Sequence, residues 1–368
     1  MSRLTQIFTD EATEWAKLGL LEFGSGRGFG KSRAASDWIR SQVKSSSDTV
    51  LHVIAVISNP QRWATRYELY QKFAKALTGP NVKLWTVEAA FGERSHEVTD
   101  LHNRQHHQVH IHSEVWHKEN LINLGLRMLT RQEPNWKYVA WIDADVEFFN
   151  SNWVDETIHA LQHHRVVQPW SQCIDLGPKN EALQMHHSFC SQYVEHGAEA
   201  LKAAEKAGYG GTRKVVPAHF GHPGYAWAAR REAIDGLGGL MDWPILGAAD
   251  HHMAWAFASD VTQMAPKNLQ PSYYRRLAEF QARADRAVKG DLGYIPGTIH
   301  HGWHGKKAAR KYVERWQVLI DCQFDPDHDI VQDSQGVWQL VVESPRQRKL
   351  RDSLRRYFRQ RNEDSIDL

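Results

Sequence analysis

Two aspartates stand at the end of an apolar segment, in the sequence YVAWIDADVEF. On a strand, residues two apart point to the same face, so the carboxylates of Asp143 and Asp145 can reach one ligand. Two like charges this close raise one pKa or require a counter-ion. A divalent cation such as Mn²⁺ or Mg²⁺ meets that requirement and commonly carries phosphates of a substrate as well. The alternative is a surface turn with two solvated aspartates, but the apolar residues on both sides favour a metal site.

The segments around these aspartates alternate between two patterns. Continuous apolar runs predict buried strands, whereas helical spacing and capping residues predict helices between them. The predicted strands cover residues 50–58, 82–92, 136–148 and 165–177, and the predicted helices cover residues 60–77, 118–130 and 151–164. This alternation indicates an α/β fold with a mostly parallel sheet flanked by helices. In such a sheet, ligands bind at the carboxyl ends of the strands, where both aspartates lie.

The regularity fades after residue 180. The later segments predict, in order, a strand with a turn and a short helix (221–242), a helix start (247–258), a polar helix (272–290), a loop leading into a helix (297–319) and a hairpin (330–341).

The chain divides into three parts on this pattern: an appendage of unknown role at residues 1–48, a main domain at residues 49–340 and a basic tail at residues 341–368. The appendage contains the glycine-rich sequence FGSGRGFGKSR, which resembles a phosphate-binding loop. That motif needs a glycine where this chain has Ser25, and no apolar strand precedes it, so we interpret it as a flexible loop.

Several motifs, taken in order, resemble one family. WIDADVEF resembles the Asp-X-Asp motif of the GT-A glycosyltransferases, and KENLINLG resembles the asparagine-containing helix that precedes that motif. GYAWAARREAIDGLGGLMD and LGAADHHMAWA follow where that family has its acceptor-side strand and an acidic pair that opens a helix. The resemblance covers about residues 50 to 320. It implies a GT-A-like (Rossmann-like) fold with an acceptor-side subregion, and a reaction in which a nucleotide-diphosphate sugar is the donor.

The resemblance also implies roles for the donor-side residues. Asp145 corresponds to the direct metal ligand, and Asp143 corresponds to a residue that reaches the ribose or the metal through water. Glu88 stands where the family often has an acidic residue that reads the base or the ribose. The other donor-binding positions implied by the resemblance are Ser58, Asn59, Asn120 and Lys306.

Asp250 corresponds to the catalytic base of the inverting members of the family. Such a base deprotonates an acceptor hydroxyl as that oxygen attacks the anomeric carbon. The chain departs from the family at Ala249, where an acidic neighbour is usual. The alternative is that Asp250 caps a helix, because aspartate is a favoured residue at that position.

The sequence HHGWHGKK contains the histidines that the resemblance associates with the metal, because many members of the family supply one late histidine ligand. We predict His304 as this ligand, with His301 as the second choice. The basic residues Lys306, Lys307 and Arg310 follow at once, and they can neutralise a leaving diphosphate. The alternative is a solvated, histidine-rich loop.

The acceptor side is predicted to be aromatic. His222, Tyr225 and Trp227 flank the acceptor if the family mapping holds, and Trp170 and His251 complete the set. Aromatic rings at these positions can stack on a sugar or on a nucleic-acid base.

The basic tail carries eight basic residues between residues 346 and 361, with apolar residues at helical spacing. This pattern predicts a basic amphipathic helix. Such a helix docks on its domain with a solvated basic face, or it contacts a phosphate backbone or an anionic membrane surface. Together with the aromatic acceptor side, it suggests a phage-type enzyme that glycosylates a hydroxymethylated DNA base. A glycan or protein acceptor is the alternative, and so is a nucleic-acid-binding protein without catalytic activity.

The composition is that of a globular chain: 368 residues, 42% hydrophobic, with a net charge of +2. No apolar run reaches 18 residues, and the first residues lack the apolar core of a signal peptide. Three scattered cysteines predict neither a disulfide framework nor a zinc cluster. We therefore expect no transmembrane segment and a cytoplasmic location, which is the host cytoplasm for a phage-encoded protein. The oligomeric state stays open.

Overall fold

The structure is a computed structural model that describes residues 50–207, 218–312 and 314–367. The predicted appendage and its glycine-rich segment lie outside the described residues.

The strands, in chain order, are β1 (Leu51–Ser58), β2 (Val82–Phe91), β3 (His106–Ile111), β4 (Tyr138–Ile142), β5 (Val146–Phe148), β6 (Val166–Gln168), β7 (Gln172–Leu176), β8 (Ala182–Ser188), β9 (Gly221–His222), β10 (Ala226–Arg230), β11 (Leu292–Tyr294), β12 (Thr298–His301), β13 (Ile330–Gln332) and β14 (Trp338–Leu340).

The helices are α1 (Ala64–Ala76), α2 (Lys118–Gln132), α3 (Trp153–His163), α4 (Phe189–Lys206), α5 (Arg231–Leu237), α6 (Ala249–Ala258), α7 (Val261–Met264), α8 (Pro271–Ala287), α9 (Arg315–Asp321) and α10 (Pro345–Gln360), with a short 3₁₀ helix at Lys307–Arg310.

The main sheet has seven strands in the order β11-β6-β10-β4-β1-β2-β3. All neighbouring pairs are parallel except those of β10, which runs antiparallel to β4 and β6. The prediction of a mostly parallel sheet flanked by helices is therefore confirmed. A second sheet has the order β5-β12-β7-β8-β9, and β13 pairs with β14 as the predicted hairpin.

Two predicted strands are each divided between the two sheets, so the prediction of single strands is wrong at both places. Residues 165–177 form β6 and β7, and Pro169 lies between them. Proline has no N–H to donate to a ladder and is excluded from the interior of a sheet. Residues 136–148 form β4 and β5. The residues between them make a turn in which the N–H of Val146 donates to the carbonyl of Asp143 at 3.2 Å.

Both faces of the main sheet are covered, which explains the continuous apolar runs of its strands. Val53 and Ile57 of β1 pack with Phe73 of α1 on one face. Ile54 of the same strand packs with Ile122 and Leu129 of α2 on the other. No helix within the described ranges is long and apolar enough to cross a membrane.

Helix α10 packs its apolar face into the core. Leu350, Leu354, Tyr357 and Phe358 are buried in the same cluster as α2. Ser344 begins the helix with a capping box, in which its hydroxyl accepts from the N–H of Gln347. Arg348, Lys349, Arg356 and Arg359 are exposed, whereas Arg346 forms an ion pair with the buried Asp329.

The close packing of α2 on β1 depends on Gly125. A Cβ at this position would lie 2.8 Å from Cγ2 of Ile54 and 3.3 Å from Cγ2 of Val87. We expect Gly125→Val to lower the free energy of unfolding by about 1–3 kcal/mol, the usual cost of overpacking. The measurement is urea denaturation. Arg131→Val, on the exposed side of the same helix, is the control and should change stability by no more than about 0.5 kcal/mol. Equal losses in both variants would contradict the packing argument.

Candidate functional site

A cavity of about 470 Å³ opens at the carboxyl ends of β1 and β4. Ser58 and Asn59 line it after β1, and Asp143 and Asp145 line it after β4. Tyr225 lies at the same edge because its carbonyl accepts from the N–H of Asp143 at 2.7 Å. This is the place where ligands bind in open α/β sheets.

Three side chains on the cavity wall direct ligand atoms at one point. Asp145, His301 and His304 each offer one atom, and these atoms lie within 4.8 Å of one another. Oδ2 of Asp145 is 3.2 Å from Nε2 of His304 and 3.7 Å from Nε2 of His301, and the two nitrogens are 3.2 Å apart. Both histidines are buried.

The residues of this cluster fit a divalent cation. The other oxygen of Asp145, Oδ1, is buried and has no hydrogen-bond partner among the described residues. Leaving a buried polar atom unpaired is costly, and a cation would satisfy it. One carboxylate and two imidazoles suit Mn²⁺ or another transition-metal ion better than Mg²⁺, which prefers an all-oxygen shell.

The protonation states also favour metal binding. Burial alone would raise the pKa of Asp145, but the nearby His301 and His304 outweigh burial and lower it well below the usual range. Burial and the Arg310 guanidinium lower the pKa of His304. A carboxylate and a neutral imidazole are the forms that coordinate metals.

Backbone contacts hold the aspartate and the histidines together. Strand β12 pairs with β5 so that His301 lies opposite Val146, and the N–H of Gly302 donates to the carbonyl of Asp145 at 2.8 Å. A Cβ at Gly302 would lie 2.5 Å from Cδ2 of Leu69 and 3.3 Å from the carbonyl oxygen of Asp145, so glycine eases this approach. The turn after β4 and the histidine segment therefore form one unit.

Asp175 lies behind His301 and is almost fully buried. Its Oδ1 accepts from Nδ1 of His301 at 2.8 Å and from the hydroxyl of Tyr225 at 3.0 Å. Its Oδ2 accepts from Nε2 of His186 at 2.5 Å and from Nζ of Lys307. Burial works to raise the pKa of Asp175, but the hydrogen bonds from His186 and His301 hold it well below the usual range.

The segment after α10 closes the other side of the cluster. Glu363 pairs with Arg66 at 3.0 Å and with Arg361 at 2.7 Å, and its carboxylate is 3.6 Å from Nδ1 of His304. The next residue, Asp364, accepts from the N–H groups of Ala64 and Thr65 and so caps α1. The tail was predicted to be basic, but it also supplies two acidic residues, Glu363 and Asp364, beside the cluster.

Asp143 lies in the cavity wall but outside the three-residue cluster. Its carboxylate forms an ion pair with Lys118, the first residue of α2. Burial raises its pKa, and the Lys118 charge works in the opposite direction. The expectation that the two aspartates share one face assumed a continuous strand, whereas a turn follows β4; both side chains nevertheless line the same cavity.

Asp250 lies in the first turn of α6 and lines the same cavity. It is not the residue that caps the helix, because Ala248 occupies that position, in a left-handed conformation with φ of 75°. One carboxylate oxygen, Oδ1, accepts from the N–H of His251 at 2.8 Å. The other, Oδ2, faces Gly224, since a Cβ placed on that glycine would lie 3.3 Å from this oxygen. The helix-cap interpretation therefore does not account for this residue.

Three of the predicted acceptor residues line the cavity: His222, Tyr225 and His251. The rings of His222 and Tyr225 stack, with centroids 4.3 Å apart and planes 10° apart. Burial lowers the pKa of His222 well below its usual value, so the ring is neutral. His251 pairs through Nε2 with Glu205 of α4.

Two predicted acceptor residues lie in the core instead. Trp170 is fully buried, and its Nε1 donates to the carbonyl of Ala226 at 3.1 Å. Trp227 is buried on β10 and donates to the carbonyl of Pro223 at 2.7 Å. Neither ring lines the cavity, because Trp170 packs in one core cluster and Trp227 packs in the other.

Three predicted donor-binding residues also lie away from the cavity wall. Glu88 accepts from the backbone N–H groups of residues 97, 98 and 99 at 2.6–3.0 Å, so it orders the loop after β2. Asn120 holds the β13–β14 hairpin through Gly336 and Trp338. Lys306 precedes the 3₁₀ helix, and its neighbour Lys307 lines the cavity instead.

Sequence reasoning missed Asp175, Glu363 and the arginines around Glu363. None of them stands in a recognisable motif. The one available signal was that Asp175 stands near the end of a predicted strand, as Asp143 does.

Comparisons with known proteins find likeness in structure alone. No protein-family model matches the chain, and no curated protein matches it. A complex of Drosophila β-1,4-galactosyltransferase 7 with manganese, UDP-Gal and xylobiose is 12% identical, with a TM-score of 0.36 over 82% of this chain and 99% of that one. Glucosyl-3-phosphoglycerate synthase from Mycobacterium tuberculosis, with Mn²⁺, UDP-glucose and phosphoglyceric acid, is 11% identical, with a TM-score of 0.35 over 83% and 91%.

The cluster predicts that the protein binds Mn²⁺ even when no substrate is bound. Changes to residues outside the coordination shell typically weaken metal binding by ~10–100-fold. We expect Asp145→Asn to weaken Mn²⁺ binding by more than this, because the change removes the anionic ligand. Isothermal titration calorimetry measures the affinity. His300→Ala is the matched control, because this ring neighbours His301 but packs on Phe149, with centroids 4.1 Å apart. Equal weakening in both variants, or an unchanged affinity in Asp145→Asn, would exclude this cluster as the metal site.

Proposed function

We propose that this protein is a metal-dependent glycosyltransferase that moves a sugar from a nucleotide-diphosphate sugar to a hydroxyl acceptor. The observation that carries the proposal is the unpartnered, buried Oδ1 of Asp145, beside two imidazole nitrogens on the cavity wall. Leaving a buried carboxylate oxygen without a hydrogen-bond donor costs stability, so a bound cation explains this arrangement better than a chain that only binds nucleic acid.

The size and the charges of the cavity support a nucleotide-sugar donor. About 470 Å³ lies within the usual range for small-molecule sites. A bound divalent cation would neutralise the diphosphate and so stabilise it as a leaving group. Lys307 and Arg310 line the same wall and add positive charge beside the cluster. Ser58 and Asn59, at the end of β1, offer polar groups to the nucleotide.

Asp250 supports an inverting reaction, in which the acceptor oxygen displaces the nucleotide directly. Its Oδ1 already accepts a backbone N–H, so Oδ2 is the oxygen that takes the proton of the acceptor hydroxyl. Because Asp250 and Asp145 line one cavity, a donor held near Asp145 and an acceptor held near Asp250 can meet. The stacked rings of His222 and Tyr225 provide an aromatic wall for the acceptor.

We also propose a hydroxymethylated base in DNA as the acceptor. Helix α10 contributes Tyr357 and Phe358 to the cavity wall, so the helix borders the cavity with its inner face. Its exposed basic residues are Arg348, Lys349, Arg356 and Arg359. Cations in such a position bind phosphates and hold a strand near the site. A glycan or protein hydroxyl is the alternative acceptor of the same reaction.

The donor prediction separates binding from chemistry. With Mn²⁺ and a panel of UDP- and GDP-sugars, at least one donor should raise the melting temperature and be slowly hydrolysed, and Asp145→Asn should abolish both effects. Asp250→Asn should keep the thermal shift but lower kcat of transfer by about 10²–10⁴-fold, because it removes the base. Asp155→Asn, in the first turn of α3, is the matched control. If no donor gives a shift or hydrolysis, the transferase proposal fails.

The acceptor prediction uses mass spectrometry of nucleosides from hydroxymethylated DNA after incubation with Mn²⁺ and the donor panel. The modified nucleoside should gain the mass of one sugar residue. The double variant Arg356→Glu/Arg359→Glu should raise KM for DNA and reduce its salt dependence, because phosphate contacts are lost. Lys72→Glu/Lys75→Glu, two exposed cations of α1, is the control. An unshifted nucleoside mass with every donor would exclude DNA and favour the glycan or protein acceptor.

A further inference from the structure

Asp175 accepts hydrogen bonds from four donors behind the candidate metal site, and it does not itself line the cavity. We propose that Asp175 is a positioning residue, which keeps the proton of His301 on Nδ1 and so leaves Nε2 free to bind the metal. The inference rests on the proposed metal site, and it concerns a residue that no motif in the sequence indicates.

The geometry around His301 supports this role. Nδ1 lies 2.8 Å from Oδ1 of Asp175, and a carboxylate only accepts hydrogen bonds, so Nδ1 carries the proton. Nε2 faces the cluster, 3.7 Å from Oδ2 of Asp145 and 3.2 Å from Nε2 of His304. A neutral imidazole with its proton on Nδ1 has a lone pair on Nε2, as coordination requires.

All four acceptor positions of the Asp175 carboxylate are filled. Oδ1 accepts from His301 and from the hydroxyl of Tyr225, and Oδ2 accepts from His186 and from Lys307. A carboxylate has about four lone-pair sites, so this one is saturated. It is also almost fully buried, which leaves no water to replace a lost contact.

Lys307 makes the two oxygens of Asp175 non-equivalent. An ammonium group has three donors and no acceptor, so whatever faces it has to be an acceptor. In Asp175→Asn, the amide oxygen would therefore turn towards Lys307, and the NH₂ group would turn towards His301. Nδ1 of His301 would then have to accept, and its proton would move to Nε2, the atom that faces Asp145.

The same contacts join the metal cluster to the rest of the cavity. The hydroxyl of Tyr225 donates to the oxygen that holds His301, and the Tyr225 ring stacks on His222 in the acceptor wall. Lys307 lies on the cavity wall beside the other oxygen. One carboxylate thus fixes a metal ligand, an aromatic wall and a cation, with no chemical step of its own.

The first test measures Mn²⁺ affinity and the His301 tautomer. By titration calorimetry, Asp175→Asn should bind Mn²⁺ about 10- to 100-fold more weakly than the wild type. In ¹⁵N-histidine NMR spectra of the metal-free protein, the His301 resonances should change from the tautomer protonated at Nδ1 to the one protonated at Nε2. His301→Gln assigns these resonances. A wild type that binds Mn²⁺ and an Asp175→Asn variant that binds it equally well would overturn this inference alone. A wild type that binds no Mn²⁺ would overturn the proposed function as well.

Two further variants separate positioning from a general loss of stability. Asp329→Asn is the matched control, because Asp329 is also fully buried and also accepts from several donors, among them Arg346 and Gln347, but it lies outside the cavity. It should lower stability and leave Mn²⁺ affinity and the His301 spectrum unchanged. The double variant Asp175→Asn/Lys307→Met removes the one neighbour of Oδ2 that can never accept. The other neighbour, His186, can move its proton to Nδ1 and accept from the amide, so the amide oxygen can turn back to His301. Its affinity should recover at least several-fold over Asp175→Asn. Equal weakening by Asp329→Asn, or no recovery in the double variant, would contradict the tautomer argument.

Discussion

A charged oxygen removed from water without a donor is the constraint on which the site depends. Oδ1 of Asp145 is in this situation, and moving a carboxylate out of water costs several kcal/mol unless a charge or a hydrogen bond compensates. The surrounding elements compensate the charge of Asp145 through two imidazoles and the Arg66 charge, but no described residue donates a hydrogen bond to Oδ1. This point of the cavity wall is thus a buried acceptor without a donor, and a divalent cation would satisfy it.

Many of the surrounding contacts hold Asp145 and its two histidines in place. The carboxylates of Asp175 and Glu363 stand behind the two histidines, and cations stand behind each carboxylate in turn. Alternating charges of this kind keep each buried group paired, which a single buried ion pair does not achieve. The glycines at positions 302 and 305 permit the histidine segment to approach its neighbours closely. A Cβ at Gly305, for example, would lie 2.8 Å from the carbonyl of Asn362.

The sequence was informative where one segment determines its own environment. The apolar run at residues 50–58 predicts β1, and the break at Asp143 and Asp145 predicts the end of a buried strand at the cavity. Glu88 and Trp170 were not predictable in the same way, because their partners lie on other segments: loop N–H groups for Glu88 and the carbonyl of Ala226 for Trp170. Asp175 is separated from His301 by more than a hundred residues, so only the fold brings the two together.

The contact between Glu363 and the histidine segment has a consequence for biosynthesis. Glu363 follows Asp145 by more than two hundred residues, and the chain is made from its amino end. The ribosome therefore releases the aspartate and both histidines into the cell well before the residue that closes their far side. An ion that binds at that stage binds three ligands that are still exposed to water, because the pocket is not yet complete. A tight metal site would thus form late, after α10 has docked and Asp364 has reached the start of α1.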